Sequence, residues 1–175
     1  EEEKKDFSEN YYGYFGDYDP QTRNLEPFYL AAKKMNVNVN ICGNPNNLFD
    51  STDNIHIHPR LKLDDLKKIE DKTNVLIFLA NRIGGQIPGK IYQYSATYKT
   101  VLFILDGTNE EQDVLKRFFQ PFNRHVFCQN NVDSICEAIK KIESNDLSNV
   151  KNVPLNDFDP IITIENILKG EIKTR

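Results

Sequence analysis

The chain has 175 residues, a formal net charge of −4 and a pI near 5.4. Its length suits one domain with its own hydrophobic core, and 39% hydrophobic with 27% charged residues indicates a globular chain and not a disordered one. The acidic balance argues against nucleic acid as a partner, because phosphate backbones bind basic surfaces. No run of residues approaches the roughly 18 apolar positions of a membrane span.

The cysteines and the first residues bear on compartment and boundaries. Cys42, Cys128 and Cys136 show no CxxC spacing, which predicts reduced thiols of a cytosolic protein and no zinc site. Residues 1–10 are charged and lack the apolar centre of a signal peptide. We interpret them as an extension at a linker edge of a longer protein.

From the N-terminus onwards, strand and helix signals alternate. YYGYFGDY at 11–18 predicts a first strand, and residues 25–35 predict a helix with Asn24 or Thr22 as its N-cap. The segment 37–43 then alternates apolar and polar residues, as a strand does. The remaining predicted elements are a strand at 54–59, a helix at 63–72, a strand at 74–80, a helix at 88–98, a strand at 100–107, a helix at 110–122 interrupted near Pro121, a strand at 125–130, a helix at 132–144, a polar connector at 145–160 and a final helix at 161–172.

This alternation predicts right-handed crossovers between parallel strands. Continuous apolar runs such as NVLIFLA at 74–80 are typical of strands that helices cover on both faces. The predicted fold is therefore α/β, a doubly wound, mostly parallel six-stranded sheet with helices on both faces. In such sheets ligands bind beyond the carboxyl ends of the strands, where the strand order switches.

The loop after the strand at 74–80 contains the most unusual run of small residues. Gly84, Gly85, Pro88, Gly89 and Lys90 all lie between that strand and the next predicted helix. Proline suits the first turn of a helix, and the backbone N–H groups there favour an anion such as a diphosphate, with a lysine beside them. A flexible loop with an exposed lysine explains the same residues equally well.

Other polar residues stand at predicted strand ends. Gly16 ends the first strand and Arg23 precedes the first helix, from where a guanidinium reaches a phosphate at the strand ends. Arg60 follows the third strand.

The histidines predict less chemistry. His56 and His58 alternate along a strand, but no third ligand stands at a convincing spacing for a metal. His125 has no recognisable Ser or Cys partner, so a hydrolytic triad has no support.

In its order of motifs, the chain resembles the C-terminal, nucleotide-sugar (donor) binding domain of GT-B glycosyltransferases over residues 11–144. The most specific piece is IPGKIYQYSATYKTVLFIL, which is similar to the family's Pro-Gly-Lys helix followed by Glu-Tyr-Leu-Ala and Gly-Lys-Pro. DFDPIITIENIL resembles the family's final helix, which crosses back onto the acceptor domain. The resemblance implies a Rossmann-like donor domain at 11–145, a connector and crossover helix at 146–175, and an N-terminal acceptor domain absent from this chain.

The resemblance also implies a set of site residues. The diphosphate-binding residues would be Gly16, Arg23, Gly84, Gly85, Pro88, Gly89 and Lys90. The nucleobase and ribose would be bound by Arg60, Leu61 and Gln93. No catalytic residue is assigned, because the acceptor pocket and any general base come largely from the absent domain. Neither a metal nor another cofactor is implied.

The implied function is transfer of a sugar from a nucleotide-diphosphate sugar to a glycan, lipid or protein acceptor, in bacterial polysaccharide biosynthesis. The helix start and Arg23 would stabilise the departing nucleoside diphosphate. The fragment alone would bind a nucleotide without turnover. The implied location is cytoplasmic, with peripheral association of the full-length protein at the inner face of the membrane.

The sequence departs from the family at three positions and leaves alternatives open. Gln93, Tyr98 and Thr100 stand where the family has Glu, Gly and Pro, which favours a non-catalytic, decayed partner module. A sugar-nucleotide epimerase shares the architecture but needs acidic and histidine residues facing the cleft, in which these loops are poor. A flavodoxin-like or response-regulator fold is the last alternative, and for the latter Asp106 alone is thin support.

Overall fold

The structure is a computed structural model that describes residues 8–44, 48–83 and 87–158. Within them, parallel strands form one six-stranded sheet in the order β3-β2-β1-β4-β5-β6. The strands are β1 (Tyr11–Phe15), β2 (Asn38–Cys42), β3 (Ile55–His58), β4 (Val75–Leu79), β5 (Thr100–Leu105) and β6 (His125–Gln129). β1 pairs with both β2 and β4, so the strand order reverses at this point. The predicted α/β fold is confirmed.

The described part of the chain has five α-helices, of which the first four connect strands and the fifth follows β6. They are α1 (Glu26–Met35), α2 (Leu63–Lys72), α3 (Lys90–Ser95), α4 (Asn109–Phe119) and α5 (Val132–Glu143), with short 3-10 helices at Gln120–Phe122 and Asn156–Phe158. None of the described helices could cross a membrane, since none is both long and apolar enough. The predicted helix at 161–172 lies outside the described residues.

Helix ends differ from the predictions where local hydrogen bonds decide them. The N-cap of α1 is Leu25 and neither Asn24 nor Thr22, although the Asn24 side chain still accepts from the Glu26 amide at 3.2 Å. The predicted helix at 88–98 is shorter, because the Thr97 hydroxyl donates to the Tyr94 carbonyl at 2.8 Å and closes the last turn. The predicted interruption near Pro121 is confirmed as the change from α4 to the 3-10 helix.

The sheet separates two apolar layers, and β4 shows how. Val75, Ile77 and Leu79 pack in the cluster that includes residues of α1 and α5, whereas Leu76 and Phe78 pack in the cluster that includes residues of α3 and α4. All five are buried, as the continuous apolar run predicted. Burial of each such side chain contributes about 1.5–3 kcal/mol, so both helical layers fix the strands that carry the loops.

A buried arginine holds the amino end of the sheet. Arg124, just before β6, has no exposed surface, and its Nη2 donates to the carbonyls of Thr97, at 2.7 Å, and Lys99. Its Nη1 donates to Oδ1 of Asn152 in the connector at 3.3 Å. Burial lowers the pKa of Arg124 to about 10. The arginine therefore joins the turn after α3 to the connector.

The expectation that His125 has no serine partner is wrong. His125 Nε2 lies 2.8 Å from the Ser95 hydroxyl, which itself donates to the Ile91 carbonyl at 2.7 Å. Both side chains are buried, and desolvation is the main reason that the pKa of His125 falls to about 4. Because the serine bonds its own helix and both side chains are almost fully buried, we interpret the pair as structural.

Candidate functional site

In doubly wound sheets the ligand crevice lies outside the carboxyl ends of the strands where the strand order reverses, which here is between β1 and β4. We call this position the crevice, and Gly16 and Gly43 follow the neighbouring strands β1 and β2 there. The Gly16 amide donates to the Cys42 carbonyl at 2.9 Å. A Cβ on Gly43 would stand 2.1 Å from the Gly16 carbonyl oxygen, whereas a Cβ on Gly16 would meet nothing closer than 3.7 Å. The close approach therefore requires glycine at 43, and Gly16 itself has room on its open side.

The loop after β1 is held in shape by Asp19. Its Oδ1 accepts from the amides of Gln21 and Thr22 at 2.8 and 2.9 Å, and its Oδ2 accepts from the Thr22 hydroxyl. These bonds hold the pKa of Asp19 below its ordinary value, the Thr22 hydroxyl having the largest effect. The backbones of Asp19 and Arg23 also exchange two hydrogen bonds, at 3.2 and 3.0 Å. These bonds fix the backbone position from which the Arg23 side chain extends.

Arg23 bridges the crevice. Its Nε donates to Oδ1 of Asn81, directly after β4, at 2.7 Å. The Arg23 charge also lowers the pKa of the neighbouring Tyr14 phenol, but burial has the larger effect and the pKa rises to about 12. The half-buried guanidinium is therefore held between the ends of β1 and β4, with hydrogen bonds to Asn81 and to the Tyr14 phenol.

Arg82 makes the reverse connection. Its backbone amide donates to the Thr22 carbonyl at 2.8 Å, and its Nη1 donates to the Pro20 carbonyl at 2.9 Å. The loops after β1 and β4 are thus joined by side chains and backbone from both sides. The family resemblance implied that residues 81–85 form the loop under the sugar and phosphates, but it gave no individual role to Asn81 or Arg82.

Lys90 reaches the same strand end from α3. Its ammonium group donates to the Phe15 carbonyl and lies 5.9 and 5.7 Å from the ring centres of Phe15 and Tyr94. Burial is the main cause that lowers the pKa of Lys90. The structure therefore places Lys90 next to Gly16, and an ammonium group with three donors can keep the Phe15 bond while it donates to a ligand.

Gly89 and Pro88 begin α3, and the space around Gly89 is open. Gly89 has an ordinary helical conformation, with φ −56°, and an added Cβ would meet no atom within 4 Å. Neither the backbone nor packing requires glycine here, so the residue leaves room for a ligand to approach. With six residues, α3 sums fewer peptide dipoles than the predicted helix would. Gly84 and Gly85 lie outside the described residues.

Of the predicted nucleobase and ribose residues, the structure brings one to the loop after β1. Arg60 Nη2 pairs with Asp17 Oδ2 at 2.9 Å, across the end of β2, although both side chains are largely exposed. The Leu61 side chain packs against the core, which leaves its backbone for recognition. Gln93 is exposed on α3. The side chains of Arg23 and Arg60 donate to Asn81 and Asp17, and not to Gln93 or Leu61.

A polar network that the prediction missed closes the far side of the crevice. Asn130, after β6, donates through Nδ2 to Asp106 Oδ2 at 2.7 Å and to the Asn24 carbonyl at 2.9 Å. Gly107 adopts a positive φ of 93° and donates to Asp106 Oδ1 at 2.8 Å. Loops after β1, β5 and β6 are therefore connected to one another. The sequence does show polar residues after each of these strands. It does not show which of them pair, because that depends on the order of the strands in the sheet.

The described histidines and acids do not assemble a metal centre. His58 Nε2 lies 2.8 Å from Asn40 Oδ1, and the ring of the exposed His56 is 6.4 Å away. Burial, more than the neighbouring His56, lowers the pKa of His58. Across the residues that the structure describes, no group of three or more His, Cys, Asp or Glu side chains could hold a metal ion. Cys42, Cys128 and Cys136 are free and buried.

Comparisons with known proteins add the fold family. No protein-family model and no curated protein matches the chain. Among solved structures, UDP-GlcNAc 2-epimerase from Neisseria meningitidis, bound to UDP-GlcNAc, is similar with a TM-score of 0.55 and 16% identity, over 92% of this chain and 45% of that one. The apo form of the glycosyltransferase GlyE from Streptococcus pneumoniae gives a TM-score of 0.37 and 11% identity, over 65% of this chain and 32% of that one.

The chain thus spans less than half the length of the epimerase chain that it matches. At this identity the likeness concerns the fold alone. The chain has the Rossmann-like α/β fold of a GT-B-type domain, as the resemblance in the sequence predicted.

Proposed function

We propose that this chain is the donor-binding domain of a glycosyltransferase and binds a nucleotide-diphosphate sugar. The observation that carries the proposal is the crevice between β1 and β4, where Arg23 and Lys90 converge on one strand end beside the open space at Gly89. A doubly wound sheet binds its ligands at this position. The fold that it shares with an epimerase solved with UDP-GlcNAc supports a nucleotide sugar as the ligand class.

In this proposal the chain stabilises the leaving group. The diphosphate would lie over Gly16 and Gly89, with Gly84, Gly85 and Pro88 completing its binding loop. The donors of Arg23 and Lys90 would stabilise the negative charge that develops on the departing nucleoside diphosphate, and preorganised donors lose little energy to reorganisation. The bonds of Arg23 to Asn81 and of Lys90 to Phe15 supply that preorganisation.

The remaining parts of the donor would extend from the diphosphate along the same edge. The backbone of Leu61 with Arg60 would bind the nucleobase, and Gln93 would bind the ribose as a neutral hydrogen-bonding partner. A glycan, lipid or protein acceptor would bind to a part of the protein outside this sequence. Catalysis of transfer would require that part as well.

The test is thermal-shift and calorimetric titration of this chain with UDP, GDP, dTDP and CMP. We expect one nucleoside diphosphate to raise Tm, because binding to the folded state alone stabilises it. Lys90→Ala should weaken that binding about tenfold or more, since a charged hydrogen bond contributes about 1.5–3 kcal/mol. Gly89→Val should abolish binding because its side chain fills the open space.

The control is Lys116→Ala, which removes an exposed lysine of α4 and should leave the nucleotide response unchanged. Each ligand-induced shift is compared with the same variant's ligand-free Tm, because Lys90 also bonds Phe15. If none of the four nucleotides raises Tm at millimolar concentration, the donor-binding proposal is wrong for this chain. A non-catalytic partner module would then be the better interpretation.

A further inference from the structure

A row of apolar side chains runs along the exposed side of α4 and continues past its end. Val114 and Phe118 stand four residues apart, on one face of the helix, and expose 58% and 50% of their surface. The ring centre of Phe118 lies 6.3 Å from that of Phe122, which lies 4.9 Å from that of Phe158. We call these four side chains the α4 strip. Contiguous exposed apolar side chains are typical of a surface that another segment covers.

The connector brings the chain to this strip. It follows α5, which packs on the opposite face of the sheet, and the Leu155 amide then donates to the Ser95 carbonyl of α3 at 2.9 Å. The half-buried Phe158 has its ring centre 5.0 Å from that of Tyr92, also in α3. The residues that follow Phe158 must therefore start beside the carboxyl-terminal end of α4.

The sequence of the next segment matches the strip in length and pattern. Apolar residues recur there at spacings of three, four and four, which predicts one apolar side of the helix expected at 161–172, formed by Ile161, Ile164, Leu168 and Ile172. A helix over 161–172 would be about 18 Å long, and α4 with its 11 residues is about 16 Å long. Ile164 and Leu168 have the same four-residue spacing as Phe118 and Val114 of the strip.

The charges fit one direction of packing. A segment that starts at the carboxyl-terminal end of α4 and follows the strip runs towards the first turn of α4, which contains Glu110 and Glu111. Lys169 and Lys173 stand in the second half of the segment and just after it. Antiparallel packing would thus bring lysines towards glutamates. Exposed pairs of this kind stabilise little, but they favour one orientation over its reverse.

We propose that residues 161–172 pack antiparallel on α4, with Ile164 and Leu168 covering Phe118 and Val114. The interaction is intramolecular and does not depend on the donor ligand. It differs from the family resemblance, which implies that this segment crosses onto the acceptor domain. In this chain the segment would instead complete the apolar surface of its own domain.

Hydrogen exchange of the whole chain, followed by mass spectrometry, tests the packing. We expect the amides of 161–172 to be protected in the wild type and to exchange about tenfold faster in Phe118→Asp, because a carboxylate under the segment would lose its water. Lys116→Asp places the same side chain on another side of α4 and is the matched control, which should leave this exchange unchanged. Unchanged protection of β4 and β5 in both variants shows that the domain is folded.

A disulfide tests which chain supplies the segment. Val114→Cys combined with Leu168→Cys should form a disulfide within one chain on mild oxidation, because the two side chains face each other in the proposed packing. The native Cys42, Cys128 and Cys136 are buried and should not compete. Lys116→Cys combined with Leu168→Cys is the control and should stay reduced.

A disulfide within one chain, together with protection that depends on Phe118, would support the proposal. A disulfide between two chains would show that a second copy covers the strip and would overturn it. The proposal is also wrong if no disulfide forms, if 161–172 exchanges freely in the wild type, or if its exchange is the same in Phe118→Asp. Each of these outcomes leaves the donor-binding proposal standing, because nucleotide titration tests that separately.

Discussion

The two ends of the sheet use arginine in opposite ways. At the amino end Arg124 is fully buried, and two backbone carbonyls and an asparagine oxygen accept from it. At the carboxyl end Arg23 is half-buried, Arg82 is exposed, and the side chain of each donates a hydrogen bond to the opposite loop. The same type of side chain is a buried structural tie at the amino end, whereas at the carboxyl end it keeps contact with solvent, where we propose that Arg23 binds a diphosphate.

Other polar contacts at the two ends of the sheet differ in the same way. Near the amino end Tyr12 donates to Glu143 at 2.6 Å and Ser95 lies against His125, all through buried or half-buried contacts. At the carboxyl end hydrogen bonds hold the loops in place, but open space remains beside them, as around Gly89. Stability and binding should therefore respond separately to mutations at the two ends.

The largest effect is expected at Arg124. Arg124→Met would remove the guanidinium that donates to the Thr97 and Lys99 carbonyls, and losing such a bond inside the protein costs about 1–3 kcal/mol for each acceptor. We expect a loss of about 3 kcal/mol in the free energy of unfolding, measured by urea denaturation, while the nucleotide-induced change in Tm persists. Arg117→Met, at an exposed site, should stay within about 0.5 kcal/mol of the wild type. A fully stable Arg124→Met would show that the amino end does not depend on this tie.

Two glycines at the carboxyl end of the sheet should differ in how much stability an added methyl group costs, and both effects should be smaller than that of Arg124→Met. Gly43→Ala would place a Cβ 2.1 Å from the Gly16 carbonyl oxygen and should lower stability by about 1–3 kcal/mol, because backbone must move. Gly89→Ala has free space and a helical φ, so it should keep or raise stability, by up to about 1 kcal/mol. Denaturation of both variants measures the difference, and equal effects would contradict this account of the crevice.

His125 predicts a pH dependence of stability. Burial lowers its pKa in the folded state to about 4, below the ordinary value of 6.5, so the unfolded chain binds the extra proton first. Its contribution is complete above pH 6.5 and is lost as the pH falls towards 4, by up to about 1.4 kcal/mol per pH unit. His125→Gln should flatten the curve of unfolding free energy against pH in that window. An unchanged slope would show that the imidazole is not kept neutral by burial.

The sequence allowed the fold and the position of the crevice to be predicted, because both depend on local periodicity and on which residues follow each strand. NVLIFLA became β4, and Gly16, Arg23 and Lys90 do meet at one strand end. The contacts that hold them could not be predicted. Asn81 and Arg23 are separated by 58 residues, and their bond depends on β1 lying beside β4 in the sheet.

The direction in which a long side chain extends could not be predicted from the sequence either. Lys90 was expected to stand beside a helix start, and the structure adds that its ammonium group extends back to the Phe15 carbonyl. The pairing of His125 with Ser95 was missed for the same reason, since α3 and β6 meet only through the folded sheet. Local patterns predict which residue types face a loop, whereas the partner of each depends on tertiary packing.

The reciprocal bonds between the loops after β1 and β4 also bear on the order in which the domain assembles. β1 and β4 are in register at Tyr12 with Val75 and Gly13 with Leu76, a pairing that joins the two halves of the chain. Contacts so distant in sequence require a long loop to close, which costs conformational entropy and slows folding. A chain in which only β1 to β3 have come together would carry Arg23 without Asn81 or Arg82. The crevice thus exists only in the completed sheet, and a ligand bound there would select fully folded molecules over partly folded ones.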